Sequence, residues 1–111
     1  MGENNKLLFW TRGCAPEWEA SQELGEYVQL ESYMKTFVYS HDYEGKKIWR
    51  VSELYTGLGF AVGTTKKKAV NDARNTISRA DRKTFLKAII LGVRRFGKFP
   101  KPSKLNEEVS L

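Results

Sequence analysis

The sequence predicts an α+β fold: a three-stranded antiparallel meander backed by a helix, a second cationic amphipathic helix beside it, and a further strand or helix from the N-terminal third. Three observations lead there. Two tight turns, Asp42-Tyr43-Glu44-Gly45 and Thr56-Gly57, separate three stretches that alternate with the two-residue period of a strand. Apolar residues then recur at helical spacing from Ala69 to Ala80 and again from Phe85 to Phe96. With 111 residues, 41% hydrophobic and 13% aromatic, the chain suits one folded domain with one modest core.

Met1–Lys6 is polar and reads as a flexible N-terminus, and Leu7–Thr11 as a short strand. Gly13-Cys14-Ala15-Pro16 breaks any regular element. Pro16 suits a first helical position, with Glu17 and Glu19 favouring a positive helix start. A helix from there would group Ala20, Leu24, Tyr27 and Val28 on one side. Gly25 opposes its continuing, and the alternation of Val28, Leu30 and Met34 also permits a strand.

Thr36–His41 alternates Phe37, Tyr39 and His41 against Val38 and Ser40. In Ile48–Leu54, Trp49 and Val51 oppose Ile48, Arg50 and Leu54. In Leu58–Val62, Leu58, Phe60 and Val62 oppose the small Gly59 and Ala61, and the small face leaves room for a helix to lie close. Short turns make these three strands antiparallel neighbours. Trp49 and Phe60 are expected in the core, Tyr43 and Tyr55 exposed at turns, and Phe99 exposed as an anchor.

Gly63-Thr64-Thr65 ends the sheet and caps a helix through a threonine hydroxyl. Its apolar stripe is Ala69, Val70, Ala73, Ile77 and Ala80. Asp81 caps a second helix that ends near Gly97. There Phe85, Leu86, Ile89, Ile90, Val93 and Phe96 share one arc, and Lys83, Lys87, Arg94 and Lys98 the opposite one. That arc is wide for so small a sheet, which makes a homodimer a candidate. The single domain is thus expected over 7–98, with a Pro-containing polar tail over 99–111.

Charge divides along the chain. The net charge of +6 resolves into +11 over Gly63–Lys104, where Asp72 and Asp81 are the acids, and −3 over Met1–Val62, with Glu107 and Glu108 beyond. Cations gathered this way suit a polyanion, because Lys and Arg gain affinity by releasing its counterions. Lys66, Lys67 and Lys68 crowd a helix start, where ammonium groups oppose the dipole unless an anion docks there. Lys83, Lys87, Arg94, Arg95 and Lys98, with Lys101, form a second cationic stripe without interleaved glutamate. Together with Arg74 these are the candidate contacts. The expected partner is nucleic acid, held by its phosphate backbone with low sequence specificity. The alternative is a small accessory or inhibitor protein that binds an acidic protein surface or a protein–RNA complex.

No catalytic or cofactor-binding set emerges. Cys14 and His41 are single residues of their kinds, so neither a metal constellation nor a nucleophilic set can be assembled from them. His41-Asp42 reads as structural. Glu17, Glu19, Glu23, Glu26 and Glu31 read as a polar face rather than a Mg²⁺ site. Gly57–Gly63 lacks both G-x-G-x-x-G and Walker spacing. No apolar run approaches the roughly 20 residues of a membrane span, and Leu7–Trp10 is too short for a signal peptide core. A cytoplasmic, non-enzymatic protein without cofactor or metal is expected.

The order strand, turn, strand, turn, strand, then Gly63-Thr64-Thr65-Lys66-Lys67-Lys68-Ala69 with Ala73 one turn later, resembles the C-terminal part of a double-stranded-RNA-binding domain. The resemblance spans about Lys35 to Ile77. It implies that Lys66 and Lys67 would sit on phosphates across a groove, with little sequence readout. The sequence departs from that family at Val70, where the family has a further lysine. It also lacks a Gly-Pro-x-His first hairpin loop, and its segment in place of the family's first helix is acidic. The same strand order is similar to the N-terminal half of HicB-type antitoxins.

Overall fold

The computed structural model describes residues 6–13, 17–31 and 33–104. The expected helix start at Pro16, the lone Cys14 and the end of the polar tail lie outside these residues. Five strands, β1 (Leu7–Arg12), β2 (Ala20–Glu31), β3 (Met34–Tyr43), β4 (Lys46–Glu53) and β5 (Gly59–Gly63), are followed by α1 (Lys66–Arg79) and α2 (Arg82–Phe96). The strands form one antiparallel sheet in sequence order. This is the predicted α+β architecture, with a meander longer by two strands than the three-stranded core read from the sequence.

The extra strands correct one expectation. The region from Ala20 to Val28, which also fits a helix, is strand β2. It pairs on both sides, Leu7–Gly25 toward β1 and Gly25–Tyr39 toward β3. Residues 20–25 find their partners on β1 and residues 25–31 on β3, and these two ladders outweigh the local helical spacing. Gly25 is central to this. A Cβ there would stand 2.5 Å from the Val38 carbonyl oxygen and 3.1 Å from the Tyr39 Cβ. The close approach of β2 to β3 therefore needs a residue without a side chain.

Alternation gives the sheet two faces. Val38, Val51 and Ala61 face α1 and pack with Ala69 and Ala73, with Trp49, Phe60 and Val28 at the edge of that cluster. The small Ala61, Ala69 and Ala73 let the helix lie close, as Gly59 and Ala61 suggested. The other face gathers Phe9, Phe37, Tyr39 and Leu54. Phe9 and Phe37 stack with centroids 4.3 Å apart, and Tyr27 meets Phe9 edge-on at 5.1 Å.

The sheet curls until its ends meet. Arg12 at the end of β1 bridges Leu58 just before β5, and the Arg12 N–H donates to the Gly57 carbonyl at 2.9 Å. Ser103 pairs with Leu8 farther along the same edge. Covering β1 in this way removes an open row of donors and acceptors. Residues 99–104, read in the sequence as the start of a tail, thus run along the sheet. Phe99 stacks on Trp10 at 5.5 Å and its N–H donates to the Tyr55 carbonyl, so it is an inward anchor and not an exposed one. Tyr43 is exposed as expected, but Tyr55 is half-buried against the Phe9–Phe37 cluster.

The turn that brings these parts together is held by Glu53. Its buried carboxylate accepts the Tyr55 N–H at 2.6 Å, the Thr56 N–H at 2.9 Å and the Thr56 hydroxyl at 2.7 Å. Gly57 follows at φ +73, with Phe99, Thr11 and Trp10 packed where a Cβ would lie.

Candidate nucleic-acid interface

Two capped helices carry the predicted cations. Thr65, extended at φ −134, accepts the Lys68 N–H at 3.1 Å and starts α1. Asp81 accepts the Thr84 N–H at 2.7 Å and starts α2. That hydrogen bond from the Thr84 backbone, followed by the Thr84 side chain, holds the Asp81 carboxyl below its ordinary value. Neither helix has an acid in its first turn.

Burial orients both helices. Ala69, Ala73 and Ile77 face the sheet, so Lys67, Arg74 and, farther round, Lys68 point outward. Lys67 and Arg74 lie two turns apart, about 10 Å along the axis. In α2, Gly92 is buried against Thr56 and Leu58, with Phe85, Ile89, Val93 and Phe96 beside it. Lys83, Lys87 and Arg94 fall on the opposite side and are exposed.

The nine predicted cations therefore divide. Lys67, Lys68, Arg74, Lys83, Lys87 and Arg94 are exposed, and among the described residues no acid pairs with them. Lys66 is different: its Nζ pairs with Glu26 on β2. The helix-opening pair is thus half committed to the scaffold. Arg95 lays its guanidinium 5.2 Å over Trp18 and 5.1 Å over Phe96, and the Lys98 Nζ sits 4.3 Å over the Tyr55 ring. These two are cation–π contacts that fasten the end of α2. Lys98 also lies past the helix, beyond the Gly97 C-cap.

Sequence reasoning passed over Arg79, exposed in the last turn of α1 and unpaired among the described residues. Its signal was its spacing, four residues after Asn75 and eleven after Lys68, on one outer stripe. It also misplaced Ile90. Gly92, not Ile90, is the contact residue, because Thr56 and Leu58 press against α2 there. Ile90 and Leu91 are left 51% and 52% exposed, flanking the Lys83–Arg94 stripe on either side.

Glu23, Glu26 and Glu31 sit on β2, and Glu17 and Glu19 on its approach, rather than on a helix. Among the described residues no group of three or more His, Cys, Asp or Glu comes together in a way that would hold a metal ion. The His41 ring lies tilted against Tyr39, with centroids 5.9 Å apart. Among the described residues no helix is long and apolar enough to cross a membrane. No family model, no curated protein and no solved structure matches the chain.

Proposed function

We propose that this protein binds nucleic acid without catalysis, through phosphates and with low sequence specificity, using the outer faces of α1 and α2. One observation carries the reading. Six exposed cations, Lys67, Lys68, Arg74, Lys83, Lys87 and Arg94, project from two capped helices, and among the described residues no acid is paired to them. Unpaired cations repel one another and each other's helix starts, a cost that a row of phosphates reverses. The resemblance to double-stranded-RNA-binding domains adds Lys67 to this reading, while the engagement of Lys66 by Glu26 argues against the full lysine pair acting as it would there.

Affinity of this kind lies at about 10⁻⁴–10⁻⁶ M at physiological salt. The test is a fluorescence anisotropy titration with a short labelled duplex. Lys67→Glu combined with Lys87→Glu should abolish binding while leaving the thermal melt unchanged. Retained binding in that variant rejects the interface.

A second reading, docking on an acidic protein surface, is favoured by Ile90 and Leu91. Phosphates gain nothing from exposed aliphatic groups, whereas a protein partner does. Changing both residues to Ser separates the two. Duplex binding unchanged in the double variant supports the first reading, and a native chain that binds no duplex but holds an acidic protein partner which the double variant loses supports the second.

A further inference from the structure

The curl of the sheet leaves a cleft between β5 and the residues Arg12, Gly13 and Trp18. It encloses about 460 Å³ and is lined by Arg12, Trp18, Arg50, Leu58, Phe60 and Asp72, among others. That volume falls within the roughly 300–1,000 Å³ of small-molecule sites. We infer that this cleft binds a nucleotide unit, with the phosphate on Arg50 and the base against Trp18 and Phe60.

Arg50 is the first reason. It sits mid-strand on β4, half-buried, and among the described residues its guanidinium has no hydrogen bond, acid or ring as partner. A partly buried guanidinium with five idle donors is matched by an oxyanion, which it grips through two parallel bonds. Gly59 makes the space: a Cβ there would stand 2.8 Å from the Arg50 Cδ. Any side chain at that point would displace the arginine stem.

Trp18 is the second. It holds φ +53, a left-handed conformation that costs a bulky residue free energy and persists only where its surroundings impose it. The Arg12 guanidinium donates to the Trp18 carbonyl at 3.1 Å and ties that residue to the end of β1. The same guanidinium lies 4.5 Å from the Phe96 centroid and 4.6 Å from that of Phe99, and donates to the Thr56 carbonyl at 3.4 Å. Arg12 thus builds the wall, and Arg50 is left to receive the anion. Asp72, on the α1 side, carries no ion pair among the described residues and offers an acceptor for an amino or hydroxyl group. Aromatic rings, one available guanidinium and one acceptor fit a base joined to a sugar phosphate better than they fit inorganic phosphate.

The ligand is either a free nucleotide or the phosphorylated end of a strand. None of the six cations of the proposed interface lines this cleft, and Arg95, which lies over Trp18, is not among those six, so failure of the cleft and of the interface are separable. Isothermal titration with adenosine monophosphate is the test, alongside adenosine, inorganic phosphate and a 5′-phosphorylated dinucleotide. The monophosphate should bind more tightly than adenosine or phosphate. Arg50→Gln, which keeps the stem against Gly59, should weaken it by about tenfold or more, the scale of one charged hydrogen-bonding partner. Trp18→Leu should weaken it as well, and duplex binding should survive both changes. Tighter binding of the dinucleotide assigns the strand end, and tighter binding of the monophosphate assigns the free nucleotide. The inference is overturned if the monophosphate gives no saturable heat, if phosphate alone binds as well, or if folded Arg50→Gln binds it unchanged.

Discussion

Lys66 on α1 pairs with Glu26 on β2, so a helix-opening lysine fastens the helix to the sheet. Glu26 lies on the α1 side of β2, in register with Val38 of β3, and α1 packs over that face. The pair therefore marks where the cationic half of the chain is tied to the acidic half. Lys67 and Lys68, one and two residues on, have no such tie among the described residues.

From this follows a difference between neighbouring lysines. Lys66→Ala should leave duplex affinity within about twofold of the native chain, whereas Lys67→Ala and Lys68→Ala should each lower it and flatten its salt dependence by about one unit of slope. Because the Lys66–Glu26 pair is partly exposed, its loss should cost no more than about 1 kcal/mol of folding stability. Parallel anisotropy titrations and urea melts of the three variants check both statements.

Glu53 is expected to matter far more to stability. Removing its carboxylate by Glu53→Ala strands three donors in the buried turn that seats Phe99 and Gly92. The cost should be about 3–5 kcal/mol, the scale of breaking a buried hydrogen-bonded network. Glu53→Gln retains one accepting oxygen and should cost less. Chemical denaturation with tryptophan fluorescence measures both, since Trp10 reports on the packing of Phe99.

The Asp81 cap predicts a pH dependence. Its carboxyl lies below the ordinary value in the folded protein because it accepts hydrogen bonds from Thr84. Its contribution is therefore present above the unfolded-state value, near 3.9, and is lost as pH falls through the lower folded value. Asp81→Asn keeps a capping oxygen but does not titrate. The difference in stability between native and variant, measured by urea unfolding, should shrink below about pH 4 and hold steady between about pH 5 and 7.

Much of this molecule was legible in local chemistry. Phe37 and Tyr39 alternate with Val38, and the structure sends them to opposite faces. Thr65 and Asp81 were readable as caps because the short oxygen of each precedes a helical pattern, and both accept the expected N–H. β2 was harder, since Ala20, Leu24, Tyr27 and Val28 fit a helix, and the pairing that overrides this comes from β1 and β3. Long-range partners also decided which cations remained available. No spacing rule joins Lys66 to Glu26, or Lys98 to the ring of Tyr55, across forty residues. The β1–β5 cleft was likewise hidden, because Arg12, Trp18 and Arg50 meet only once the sheet has curled.

The central claim is that six cations on α1 and α2 hold phosphates. The direct measurement is the slope of log affinity against log salt for a short B-form DNA duplex between about 50 and 200 mM monovalent salt. Six phosphate contacts predict a slope near −5, at roughly −0.9 per phosphate. A slope near zero, or one unchanged when Lys67, Arg74, Lys87 and Arg94 are replaced by Gln, would contradict it.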